Sequence, residues 1–170
     1  MSMYKVSPAV KPRSQSLGTS CWLSCLEMLY IWKNDKGDRT KNIDEILSKM
    51  DESPDLYPYY MQTTTGMFPS QYRPTARMLG LGCSGDTETI DAKLLKTMLQ
   101  KHGPLMIGGK FSKGHSHAIV VTGCDPETGN IRYVDPWNNY TLEESPQTVK
   151  WLEDRGSSWT NCDASILYWR

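Results

Sequence analysis

The segment from Cys21 to Lys33, CWLSCLEMLYIWK, limits what this chain can become. Its apolar residues fall on nearly every face of a helix, and Glu27 is the only charge in its interior. A helix without a polar face has to be covered on most sides by other elements. Thr19 or Ser20 can cap its start, and Asn34-Asp35-Lys36-Gly37 ends it, so Cys21 falls at or near the first helical turn. The chain has 170 residues, the length of one domain, and can bury about two-thirds of its unfolded surface.

The rest divides into a helical half and a strand half. Residues 1–20 are polar, carry Pro8, Pro12 and Gly18, and read as an extended lead-in. Helical spacing predicts further helices over 42–50, over 70–79 with Pro74 in the first turn or breaking it, and over 91–102, where Gly103-Pro104 ends the element. Residues 51–69, rich in Pro, Tyr and Thr, read as loop and short elements. Beyond residue 103 the pattern changes to short β-like runs at 105–108, 117–122, 131–135 and 166–169. The segment 125–130, DPETGN, reads as a hairpin turn, and a helical patch is expected near 146–154. Helices first and antiparallel strands afterwards give an α+β fold.

Nineteen basic residues balance nineteen acidic ones, which is unlike the basic footprint of a nucleic-acid or anionic-membrane binder. No apolar run has transmembrane length, and the first twenty residues hold no signal-peptide core. The cysteines number five, Cys21, Cys25, Cys83, Cys124 and Cys162, and an odd count without a signal peptide favours reduced thiols. Nine Tyr and six Trp against two Phe suit a binding groove as well as a core.

Cys21 sits where a helix N-terminus favours thiolate, whereas Cys25, one turn further in, reads as a small apolar core residue. Of the three histidines, His102 ends an amphipathic helix, where a dipole or solvated role suffices. His115 and His117 flank Ser116 before a β-like run, and a ring at a strand's opening edge can exchange a proton with a thiol. Asp135 ends the next run. In a hairpin its carboxylate can reach that ring and orient it, or it can simply start a turn with Pro136. Trp137 then shields the pair or merely packs. Gln15, six residues before Cys21, can join the Cys21 N–H in stabilising an oxyanion.

These segments resemble a papain-like cysteine peptidase. That family shows Gln, five residues, then Ser-Cys-Trp opening the central helix, which here is Gln15 and Ser20-Cys21-Trp22. It shows His-Ala-Val/Ile running to a Gly, here His117-Ala118-Ile119 to Gly123, and Asn or Asp followed after one residue by Trp, here Asp135 and Trp137. The resemblance is greater to compact bacterial forms, namely avirulence effectors, interbacterial toxins and bacteriocin leader peptidases. Gly18 stands where the plant and lysosomal enzymes place a disulfide Cys, and the third member is Asp. The resemblance implies one domain over residues 1–170. A helical lobe of about 15–103, carrying the Cys helix, would pack on an antiparallel β lobe of about 104–170. It implies peptide-bond hydrolysis by Cys21, His117 and Asp135 with Gln15 at the oxyanion, Trp22 and Trp137 as site walls, and no cofactor or metal. A protein or peptide substrate follows, and for an antibacterial toxin an immunity protein over the groove. Export without a cleavable signal, and action in a recipient cytoplasm, are the matching expectations.

Three alternatives stand beside this. The same triad serves cell-wall amidases, isopeptidases and transamidases. Cys21-x3-Cys25 with His115-x-His117 offers zinc ligands, although no Cys-x-x-Cys is present. A catalytically silent binding module is the third. Substrate choice would lie in groove segments, for which residues 57–68 and 110–114 are the candidates.

Overall fold

A computed structural model describes residues 2–16, 20–54, 66–85, 87, 89–112, 115–137, 144–156 and 164–170, with the side chains of Ser112 and His115 not described. Helix α1, Cys21–Lys36, is buried along its length: Cys21, Trp22, Ser24, Cys25, Leu26, Met28, Leu29, Tyr30 and Trp32 are all enclosed. It runs one turn past the expected end at Lys33, because Asn34 to Lys36 stay helical until Gly37, whose N–H closes on the Asn34 carbonyl. Ser20 stands at its N-terminal cap without a side-chain cap bond, and Thr19 lies outside the described residues.

The sheet is antiparallel throughout. From strands β1 (Tyr4–Lys5), β2 (Leu81–Ser84), β3 (Leu105–Ser112), β4 (His115–Cys124), β5 (Asn130–Val134), β6 (Ser145–Thr148) and β7 (Ile166–Trp169) it takes the order β2-β7-β3-β4-β5-β6, with β1 on β4. β4 is its centre. Ala118 to Val121 are all buried, so both faces of this strand are covered. One edge pairs with β3, Leu105 against Val121, and the other with β5, Val120 against Val134. The Asp125–Asn130 turn closes the β4–β5 hairpin with Asp125 N–H on the Asn130 carbonyl, 2.8 Å.

The helices α2 (Asp44–Asp51), α3 (Tyr72–Leu79), α4 (Ala92–His102) and α5 (Val149–Gly156) complete the fold. Asp91 caps α4 by accepting the Leu94 N–H at 2.7 Å. A short 3-10 turn, Pro69–Gln71, leads into α3, and Pro74 sits in the first turn of α3, where a missing N–H costs nothing.

Three expectations are corrected. The helical half is not free of strands: β2 and β1 belong to it and pair with β7 and β4. Alternation was too short there to show, and the pairing partners lie far away in the chain. The patch at 146–154 begins as a strand, because Pro146 can sit on the outermost strand β6, where one missing ladder bond is tolerated. Finally, β3 and β4 are longer than expected, and they bend at a register shift between Gly109 and Ser112.

The far end of α1 is closed by aromatic packing. The Trp169 indole N–H donates to the Leu29 carbonyl at 2.9 Å, and its ring lies 5.1 Å from that of Tyr30. Gly103 has φ +80°, and a Cβ there would lie 2.3 Å from the Trp32 ring. Gly103→Ala combines a strained backbone with a clash, and is expected to cost about 1–3 kcal/mol in urea unfolding. Gly129→Ala shares the positive φ but has open space around it, and is expected to cost less.

Candidate active site

Cys21 is the first residue of α1 and only 8 % exposed. A residue at this position has no earlier turn to receive its N–H, so the amide and the helix dipole favour negative charge there. His117 is the third residue of β4, not its opening edge as expected, because the strand begins at His115; it pairs with Gly109 and is 5 % exposed. Asp135 follows the last residue of β5. The β4–β5 pairing therefore carries Asp135 to the same end of the sheet as His117.

The imidazole lies between two partners. His117 Nε2–H donates to Asp135 Oδ1 at 2.6 Å, and the Cys21 thiol lies close enough to the ring to act on its charge. With Nε2 committed to the carboxylate, Nδ1 is the nitrogen left for the thiol. Asp135 Oδ1 also accepts the Trp137 N–H at 2.9 Å, which fixes the carboxylate. Burial opposes charge on His117, but the hydrogen bonds and negative charges of Asp135 and Cys21 outweigh it and push the imidazole up to about 9. Cys25 is different. It is fully buried, and burial, followed by the charges of Cys21 and Asp135, pushes its thiol up.

Gln15 reaches this place by a route that neighbouring residues in the sequence do not reveal. The lead-in runs back along α1. Lys36 Nζ donates to the Ser7 carbonyl at 3.0 Å and the Trp32 indole to the Pro8 carbonyl at 2.9 Å. Nearer the N-terminus of α1, Arg13 pairs with Glu27 at 3.0 Å. The Gln15 N–H then donates to the Pro136 carbonyl at 2.9 Å, and the residue is 6 % exposed. The strap thus ties Gln15 to the turn that holds Asp135. The opposite charges of Lys11 and Asp35, 2.7 Å apart, and of Arg13 and Glu27 hinted at it, and their separation in sequence hid the pairing.

The two tryptophans differ from the expected site walls. Trp22 is 1 % exposed and packs in the core, and Trp137 touches the pair through its backbone N–H while its side chain is 54 % exposed. Of the expected groove, residues 57–65, 113 and 114 lie outside the described residues; Met67 is buried, Phe68 is exposed, and Phe111 packs on Trp151. The zinc alternative finds little support in the described residues. His117 is committed to Asp135, Cys25 is sealed, no group of three or more His, Cys, Asp or Glu among the described residues is placed to hold a metal ion, and the His115 side chain lies outside the description. Cys21, Cys25, Cys83 and Cys124 are free thiols, and Cys162 lies outside the described residues.

Because the His117 pKa is raised above its ordinary 6.5 to about 9, the charged ring adds stability fully below pH 6.5 and loses it as pH rises through about 9. The stability difference between the native protein and Asp135→Asn is therefore expected to be largest below pH 6.5 and to shrink towards pH 9, as read by urea unfolding at each pH. A difference that stays flat across this window contradicts the coupling.

The peptidase domain of Streptococcus ComA, a bi-functional ABC transporter involved in a quorum-sensing pathway, matches over 95 % of this chain and 99 % of its own, with a TM-score of 0.55 at 16 % identity. The Pseudomonas avirulence protein AvrPphB covers 95 % of this chain and 96 % of its own at 15 % identity, with a TM-score of 0.40. Residues 6–154 match the Peptidase_C70 family, papain-like cysteine protease AvrRpt2. The chain belongs to that family and is a papain-like cysteine peptidase.

Proposed function

We propose that this peptidase cleaves protein substrates through Cys21, His117 and Asp135, with Gln15 at the oxyanion, and that it serves as a bacterial effector or toxin. The observation that carries the catalytic part is the buried imidazole held between a thiol at a helix start and a carboxylate. An imidazolium flanked by both is the resting state such a site needs.

The steps follow from that arrangement. With His117 protonated and Cys21 ionised, the Cys21 sulfur attacks the scissile carbonyl carbon. The carbonyl π pair moves to oxygen, and the oxyanion is met by the Cys21 N–H and the Gln15 side-chain amide. As the C–N bond breaks, Nδ1–H of His117 gives its proton to the leaving amine, and a thioester remains on Cys21. Neutral His117 then takes a proton from water as the water oxygen attacks the thioester. Collapse of that second intermediate releases the acid, expels the Cys21 thiolate and restores the imidazolium. Throughout, Asp135 keeps Nε2–H fixed and offsets the buried positive charge.

The effector reading has the family name as its support. Action in a recipient cytoplasm, on an intracellular protein, would suit an enzyme that works with reduced thiols. If the recipient is a competing bacterium, the producer needs an immunity protein that occludes the Cys21 groove.

The test is digestion of a cell lysate followed by profiling of new N-termini. The native enzyme is expected to create a defined set. Cys21→Ala and His117→Ala should lose it by at least about a hundredfold while remaining folded. Cys25→Ala and His115→Ala should keep it, with Cys25→Ala losing mainly stability. Activity retained in Cys21→Ala, or lost in a well-folded Cys25→Ala, contradicts the assignment.

A further inference from the structure

Basic and acidic residues balance over the whole chain, yet five basic side chains meet where, among the described residues, no acidic one joins them. Arg73 and Arg77 of α3, Lys101 and His102 at the end of α4, and Arg170 after β7 line an open cavity of about 500 Å3. That volume lies within the range of small-molecule sites. Among the described residues, the side chains of Arg77, Lys101 and Arg170 make no ion pair, and all three are exposed.

The floor of the cavity is shaped. Tyr168 lies across Gly82 so closely that a Cβ on Gly82 would stand 2.4 Å from its ring. The Tyr168 ring also packs on the His102 imidazole, with centroids 4.5 Å apart. His102 Nδ1–H donates to the Trp169 carbonyl at 2.8 Å, since a carbonyl can only accept, so Nε2 is the one polar atom left on the ring. These contacts fix one wall of the cavity.

The cavity is separate from the candidate active site. Cys21 opens α1, whereas Gly103, next to His102, packs on Trp32 in the last turns of the same helix. At a rise of 1.5 Å per residue, the helix places roughly 16 Å between Cys21 and Trp32.

Charge and shape select the ligand. Arg77, Lys101 and Arg170 repel one another around one opening, and an anion bearing a single charge would leave most of that repulsion in place. Guanidinium groups bind phosphate oxygens in paired hydrogen bonds, and three of the four permanent cations are Arg. We propose that this cavity binds a ligand carrying at least two phosphate groups, either as a free small molecule or as the headgroup of a phosphorylated lipid.

The test is isothermal titration of the full chain with sodium tripolyphosphate near physiological salt, where exposed charges are screened beyond about 8 Å. One-to-one binding is expected. The double variant Arg77→Glu, Lys101→Glu should weaken it at least about tenfold, whereas Lys93→Glu, Lys150→Glu, which removes as much charge elsewhere, should leave it within about twofold. All four positions are exposed, and circular dichroism confirms that each variant is folded. Flotation with phosphatidylcholine vesicles, with and without phosphatidylinositol bisphosphate, separates the two sources. Vesicle binding that the cavity variant loses assigns the headgroup, and tripolyphosphate binding without vesicle binding assigns the free ligand. The proposal is overturned if neither probe binds at about 1 mM. It is also overturned if both variants weaken binding equally, or if a polyglutamate peptide binds more tightly than tripolyphosphate.

Discussion

A helix that is apolar on every side cannot rest on a surface, and the rest of this molecule is arranged to cover one. Helix α1 meets β4, β3 and α2, Trp169 closes its far end, and the lead-in crosses its remaining face. Burial of that helix puts its first residue, Cys21, at the boundary between core and solvent. The same burial puts the dipole of the helix in surroundings where water screens it little. The placement of the Cys21 thiol thus follows from the packing of an apolar helix, with no special loop needed to present it.

Burial also sets the cost that the site has to meet. An imidazole that is 5 % exposed would ordinarily resist protonation, and its neighbours reverse that preference. Asp135 does most of this, because its carboxylate lies 2.6 Å from Nε2 and is itself fixed by the Trp137 N–H. Cys25, four residues from Cys21 on the same helix, lies away from the helix terminus, and burial, followed by the charges of Cys21 and Asp135, pushes its thiol up. Two thiols one turn apart thus stand in different surroundings, one at a helix start beside an imidazole and one sealed in the core.

Local patterns in the sequence made much of this readable. The periodicity of α4, the Asp125–Asn130 turn and the unbroken apolar run of β4 are each local, and the structure carries all of them. Gln15, Cys21, His117 and Asp135 were picked out together by the resemblance to papain-like peptidases, since each of them read singly has an ordinary structural role. What escaped depends on distant partners. The strands β1 and β2 are short and gain their identity from β4 and β7. The strap that carries Gln15 rests on carbonyls and side chains far along α1, which no periodicity records. The basic cavity is built from three segments that lie far apart in the chain and whose cations look like ordinary surface charge when read singly.

The central claim is that His117 and the start of α1 together make Cys21 the activated thiol of this peptidase. The most direct measurement is the rate of iodoacetamide labelling at neutral pH, with the modified cysteine located by peptide mapping. Cys21 is expected to react first and alone, and at least about tenfold more slowly in folded His117→Ala. Labelling that reaches Cys83 or Cys25 before Cys21 in the folded protein, or a Cys21 rate that His117→Ala leaves unchanged, would contradict the account.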